Sequence, residues 1–350
     1  MRNIRLIFQV AATYIGTIVG AGFASGKEII QFFTQFGSLG SIGILVSGVI
    51  FTWIGTKMLV LAGRIKATSF NELTEYIFGK QMGLIIQALI FFIVFGVTGV
   101  MLAGSGAVFQ EQWGLSRHIG IALAILLCFI LLLKGAKGVM LINSCIVPIM
   151  ITFSLVIGLY FIIHGQIDPD TIWKVNKPFH YHWVIHAFSY VSFNLITALT
   201  VLVPLGQEIN NEKVLLYGGA IGGIGFTLML FVSHVVLLNH PQVLLFEIPI
   251  AEVVKYFGPI IHFLYVTIIY GEIFTTYIGN IFGMSRQIQS LSGMEYRKII
   301  VIFLILTCAI SQIGYGSLIT FLYPLYGYLC MFCLFMLMAV RLPKKGEVRF

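Results

Sequence analysis

Charged residues are so sparse along this chain that the gaps between them outline its elements. About 20 uncharged residues separate Arg5 from Lys27, and about 30 separate Lys80 from Glu111, Lys137 from Asp168, Lys177 from Glu208 and Lys213 from Glu247. From Lys298 to Arg341 the gap is about 40 residues, room for two helices joined at Ser311-Gln312-Ile313-Gly314-Tyr315-Gly316. A helix that crosses a bilayer needs about 20 apolar residues, so the pattern predicts ten spans. They fall near 5–35, 38–62, 82–110, 118–134, 139–164, 182–207, 213–238, 258–284, 298–313 and 316–340.

Composition makes the same statement independently. Of 350 residues, 59% are hydrophobic and only 10% charged, with a mean hydropathy of +0.99, whereas soluble domains carry roughly a quarter charged residues. A soluble enzyme, a secreted disulfide scaffold and a disordered chain are all excluded. The net charge of +8 does not indicate a nucleic-acid partner, because the basic residues sit at span ends, where they set topology. With the N-terminus inside, Arg117, Lys174, Lys177 and Lys255 fall outside and Lys27 lies within span 1. The other Lys and Arg residues all fall inside. This bias predicts a multi-pass protein of the cell membrane with both termini cytoplasmic and with lipid as its surroundings. The first apolar stretch runs through Gly20-Ala21-Gly22 into a further helix-like segment, so no cleavable signal peptide is expected. The five cysteines, Cys128, Cys145, Cys308, Cys330 and Cys333, lie in apolar stretches without a CxxC pair and read as packing residues.

Ten spans divide into a first five-helix unit over 1–165, a connecting loop over 166–180, a second unit over 181–340 and a tail over 341–350. Because five is odd, the second unit enters from the opposite side and any repeat is inverted. Gly26-Lys27-Glu28-Ile29 in span 1 and Gly206-Gln207-Glu208-Ile209 at the end of span 6 form a faint echo of that symmetry.

The most informative stretch runs from Gly16 to Glu28. It holds Gly16, Gly20, Gly22 and Gly26, each costing about 1 kcal/mol against Ala in a helix. One reading is close helix packing through small residues, with Gly22 and Gly26 at the required spacing. The other is a helix broken near Gly20-Ala21-Gly22, where freed carbonyls face a cation and freed N–H groups face an anion. In span 6, Ser189, Ser192, Asn194, Thr197 and Thr200 make a second polar stretch, whose hydroxyls could bond back to the preceding turn. Asn194 is harder to satisfy that way. This places a second break at Ser192-Phe193-Asn194, with Pro204 as the alternative.

Thr17-Ile18-Val19-Gly20-Ala21-Gly22-Phe23 resembles the glycine-rich first helix of the amino acid–polyamine–organocation superfamily. Gly20 to Glu28 resembles, more narrowly, the YkvI-like membrane proteins within it. The resemblance implies an all-α fold of the LeuT type, a five-plus-five inverted repeat with spans 1 and 6 broken at a central site. It implies substrate contacts at Gly20, Ala21, Gly22 and Phe23 and at Ser192, Phe193 and Asn194. It also implies a Na⁺ site made by the carbonyls of Gly16 and Val19 with the hydroxyls of Thr275 and Thr276, all hard oxygen ligands. Span 5 carries no lysine to take the ion's place.

Glu272, deep in span 8 and one turn before both threonines, could complete that cation site, carry a proton, or be a buried structural acid. Lys27 and Glu28 read either as an external gate or as charges reaching the interface. His164, His180 and His182 make no persuasive metal site, and no cofactor beyond a coupling Na⁺ or H⁺ is expected.

No hydrolase, metalloprotease or nucleotide-binding motif is present, so an enzyme is not expected. A channel lacks its filter sequence or charged ring. The expectation is a secondary transporter of a small solute, an amino acid or related amine. A ligand-sensing receptor of the spore-germinant type, which shares the fold, is the alternative. The sequence leaves oligomeric state open.

Overall fold

A computed structural model describes residues 2–133, 136–163, 172 and 181–344. The 166–180 loop apart from Ile172, the last six residues, His164, His180 and the Cys145 side chain lie outside the described residues. Within them the chain is helical, and helices stand at all ten expected places. Six are long and apolar enough to cross a membrane: Ser38–Ile65, Phe70–Gln112, His182–Glu208, Glu212–Leu238, Pro259–Gln289 and Tyr315–Ala339. Two shorter helices, Arg117–Leu132 and Tyr296–Ser311, supply spans 4 and 9, and Ala136–Ile163 supplies span 5.

Span 1 carries the expected break and, beyond it, a second turn, in three pieces, Arg2–Ile18, Ala21–Ser25 and Lys27–Phe32. Two further features differ from expectation. Span 3 begins at Phe70 with a short lead that turns at Gly79 (φ +77°) before the membrane-crossing part. The loop between spans 7 and 8 contains its own helix, Pro249–Val254, flanked by two short 3₁₀ turns.

The spans pack in two groups. Spans 1, 2, 6 and 7 pack on one another, spans 3, 8 and 9 form a second group with span 4 on its flank, and span 10 lies against both spans 6 and 3. Span 7 holds the first group together through glycines on two faces. A β-carbon on Gly218 would stand 2.6 Å from Val10, and one on Gly222 would collide with the Tyr14 ring. One residue further round, a β-carbon on Gly219 or Gly223 would meet Thr56 or Thr52 of span 2. Bare backbone thus lets spans 1 and 2 approach span 7 closely, as membrane helices do where apolar burial gives no drive to associate.

Tyr14 uses the space: its hydroxyl donates to the carbonyl of Phe51 at 2.7 Å, at the π-helical turn Phe51–Gly55. The buried His234 ring of span 7 lies within hydrogen-bond distance of Thr34 (3.0 Å) and Ser41 (3.1 Å), tying in the turn between spans 1 and 2.

Gly222→Val should therefore overpack this junction by about 1–3 kcal/mol, lowering the melting temperature of the detergent-purified protein by intrinsic fluorescence. An unchanged melting temperature would mean that span 7 does not seat Tyr14.

Candidate functional site

The first break falls at Val19-Gly20. The N–H of Val19 still donates to Ile15 O at 2.8 Å, but Gly20 is extended (φ −121°, ψ −177°), and helix resumes with Ala24 N–H donating to Gly20 O at 2.9 Å. The predicted break lay near Gly20-Ala21-Gly22; Ala21 and Gly22 instead begin the new helix.

That piece is only five residues long, because Gly26 adopts φ +86° and turns the chain again. Gly26 cannot be another residue without strain, and a β-carbon on it would also meet Ile250 at 2.6 Å.

The second turn places Glu28. On a continuous helix residues 22 and 28 would point about 120° apart. The kink instead folds Glu28 back until its Oε2 occupies the space that a β-carbon on Gly22 would need. Glu28 is only 4% exposed. Asn194 of span 6 donates its Nδ2 to Glu28 Oε1 at 3.3 Å and to Tyr190 O at 3.0 Å. The buried Tyr190 hydroxyl, with no hydrogen-bond partner of ordinary geometry, faces the same carboxylate. Tyr323 of span 10 closes the other side, 3.2 Å from the β-carbon position of Gly22. The Phe193 ring stacks 4.7 Å from Tyr323 and 6.2 Å from Tyr326.

Gly22, Phe193 and Asn194 thus lie around Glu28, an acid that the sequence offered as an external gate or an interfacial charge. Lys27 does not pair with Glu28: its Nζ donates to the carbonyl of Phe246, 2.8 Å away in the loop between spans 7 and 8. The Phe23 ring lies 5.5 Å from Phe226 of span 7, in the aromatic core.

Span 6 is not broken. His182–Glu208 is one continuous helix, with Pro204 inside it. The polar side chains that suggested a break satisfy themselves within the helix: Ser192 Oγ donates to Phe188 O at 2.6 Å, and Thr197 Oγ1 reaches Phe193 O and Asn194 O at 3.0 Å. No glycine lies between His182 and Leu205 to free the backbone.

In span 8, Glu272 is 2% exposed and its Oε2 has no hydrogen-bond partner among the described residues. Thr275 and Thr276 donate to the Glu272 carbonyl at 3.0 and 3.1 Å, which leaves their oxygen lone pairs free to accept. Span 8 packs on the Ala21–Ser25 piece, where Tyr265 donates to Ala24 O at 3.2 Å.

Above the break is a cleft of about 300 Å³ lined by Glu111, Arg117, Glu247 and Tyr315, among others. Tyr315 separates it from span 1, its hydroxyl 2.9 Å from Ser25 Oγ and 3.2 Å from Ala21 O. The loop over the cleft is pinned from several sides. Glu111 accepts from the N–H groups of Glu247 (2.8 Å) and Ile248 (2.7 Å), and Glu247 accepts from Gly316 N–H at 2.5 Å. Sequence reasoning missed Tyr315 and Tyr323, since a tyrosine in an aromatic-rich span carries no signal of its own; the Tyr323-Pro324 pair at mid-span was the nearest one.

No protein-family profile matches the chain. Its overall shape is similar to a manganese transporter of Eremococcus coleocola (TM-score 0.67, 13% identity, covering 95% of this chain and 78% of that one). It is similar too to MhsT in complex with L-phenylalanine (TM-score 0.65, 12%, 94% and 88%) and to inward-facing Mhp1 (TM-score 0.61, 10%, 94% and 75%). These likenesses establish a LeuT-type fold. In sequence it is 28% identical to the Bacillus subtilis (strain 168) protein YyaD, over 91% of this chain and 92% of that one. It is 40% identical over 340 residues to the membrane protein YkvI of the same strain, covering 97% of each chain. The chain belongs to the YkvI family of membrane proteins.

Proposed function

We propose that this protein is a secondary active transporter of the cell membrane, both termini cytoplasmic, which takes up a small solute by alternating access. The solute class is an amino acid or related amine, held where span 1 breaks. The observation that carries this reading is the convergence on the break of Glu28, Asn194, Tyr190 and Tyr323. Non-helical backbone at membrane depth persists only where it lines protein or a cavity, and a buried acid there has a functional reading by default. The structural neighbours support it, since they include a manganese transporter and MhsT with L-phenylalanine bound. Movement in this reading is a rocking of spans 1, 2, 6 and 7 against spans 3, 4, 8 and 9, along the seam between the two packed groups.

The driving ion in this proposal is Na⁺, bound by the carbonyls of Gly16 and Val19 with Thr275 and Thr276. The threonine oxygens retain their acceptor capacity, and hard oxygen donors suit Na⁺. Glu272 gives a second reading its footing: a buried carboxyl with an unpartnered oxygen is suited to carry a proton or to add charge to the cation site. A receptor without net transport has no comparable support.

Purified protein should be stabilised by NaCl but not by choline chloride, saturably and by about 2.7 kcal/mol at a hundredfold excess over Kd. Thr275→Ala/Thr276→Ala should abolish the shift. A stability that ignores sodium but changes between Glu272 and Glu272→Gln across pH assigns the coupling to a proton instead.

Gly22→Ala should displace the Glu28 carboxylate and lower initial uptake of labelled amino acids or amines into proteoliposomes at least about tenfold, roughly 1.4 kcal/mol. Gly22→Ala/Glu28→Asp should recover part of that rate, because the shorter acid clears the new methyl group. Equal rates for Gly22→Ala and wild type would place the solute elsewhere.

A further inference from the structure

Glu28 has an unusual set of neighbours. Its carboxylate is surrounded by an amide (Asn194), hydroxyl groups (Tyr190, Tyr323) and aromatic rings, with no basic side chain beside it among the described residues. Glu28 takes no part in the ion pairs Arg64–Glu212, Lys255–Glu252 and Lys298–Glu295. Lys27, the adjacent cation, is drawn away to Phe246. A carboxylate taken out of water without a counter-charge is unfavourable by several kcal/mol, so Glu28 either holds a proton or is ionised beside a cation that enters the site. Tyr190, Phe193 and Tyr323 gather aromatic side chains around the carboxylate, and aromatic rings attract ammonium groups.

The opposite end of a zwitterion would meet, among the described residues at the break, only the N–H groups that open the Ala21–Ser25 piece. The helix piece Ala21–Ser25 is five residues long, so it sums few peptide dipoles. Glu28 Oε2 already stands against Gly22, at the mouth of that piece. A substrate carboxylate approaching there would meet a like charge in a low-dielectric space, which is strongly repulsive.

We propose that the central site selects an organic ammonium ion that carries no carboxylate, an amine in preference to the corresponding amino acid, with Glu28 as its counter-ion and Tyr190, Phe193 and Tyr323 as its aromatic wall. This narrows the solute class and rests on the reading of the break as the solute site.

The test needs no knowledge of the natural substrate. A thiol is introduced by Phe193→Cys, and by Thr197→Cys one turn along span 6 should the first variant not fold. Each is reacted with a cationic (aminoethyl), an anionic (sulfonatoethyl) and a neutral (methyl) methanethiosulfonate. Rates are normalised to those of a free thiol in solution, with unmodified protein as the baseline for native cysteines.

The cationic reagent should react at least about tenfold faster than the anionic one, and Glu28→Gln should reduce that ratio to near unity. A ratio near unity with Glu28 in place, or one unchanged by Glu28→Gln, overturns the charge selection while leaving a solute-accessible site. Failure of even the neutral reagent to reach the thiol overturns the solute site itself. As a second measurement, phenethylamine should raise the melting temperature of wild-type protein at lower concentration than phenylalanine does. The reverse order counts against the proposal.

Discussion

A helix interrupted inside a membrane leaves carbonyls and amides that lipid cannot satisfy, and the architecture here turns on how those groups are met. Around the Ala21–Ser25 piece the partners are hydroxyls from other spans. Tyr315 of span 10 reaches Ala21 O, Tyr265 of span 8 reaches Ala24 O, and Ser25 itself reaches Gly22 O at 3.1 Å while lying against Tyr315. The break in span 1 is therefore tied to the spans that flank it. That gives its short outer pieces a defined position, and Glu28 a defined direction.

The two ends of span 1 are held by different means. The inner piece, Arg2–Ile18, lies on the glycine face of span 7, where contact is close and made through backbone. The outer pieces are held by hydroxyl contacts, by the loop between spans 7 and 8 and by buried side chains, among them Phe23 against Phe226 and Phe32 against Tyr190. Dense packing is bistable rather than continuously deformable, whereas single hydroxyl contacts exchange readily with water. The gap at Val19-Gly20 thus separates two halves with different neighbours, one seated on bare backbone of span 7 and one among side chains of spans 6, 7, 8 and 10.

Much of this was legible in the sequence, for reasons that differ by residue. Charge spacing gave the spans, because every buried charge is costly in lipid and the chain avoids them. Four glycines within eleven positions gave the first break, because glycine has no side chain to repay the helix it weakens. The second break failed because Ser, Thr and Asn have two ways to be satisfied in a membrane helix. Local bonding to the preceding turn won in span 6, where no glycine favoured opening. Glu28 was misplaced for a geometric reason: its direction depends on the left-handed turn at Gly26, and a reading that continues the helix sends it toward the interface. Tyr315 acts through contacts with residues some 290 positions away, and Tyr323 through Gly22 and Phe193 on other spans, which no local pattern encodes.

The loop between spans 7 and 8 carries one more consequence. It is fastened at once to span 3 through Glu111, to span 10 through Glu247 and to span 1 through Lys27 and the contact of Ile250 with Gly26. Its helix, Pro249–Val254, adds a link from Glu252 to Gln112 at 2.9 Å. These fastenings share one short segment, so lifting it loosens them together rather than in turn. A loop so fastened would yield as a clasp with a single threshold, not as a hinge that gives way bond by bond.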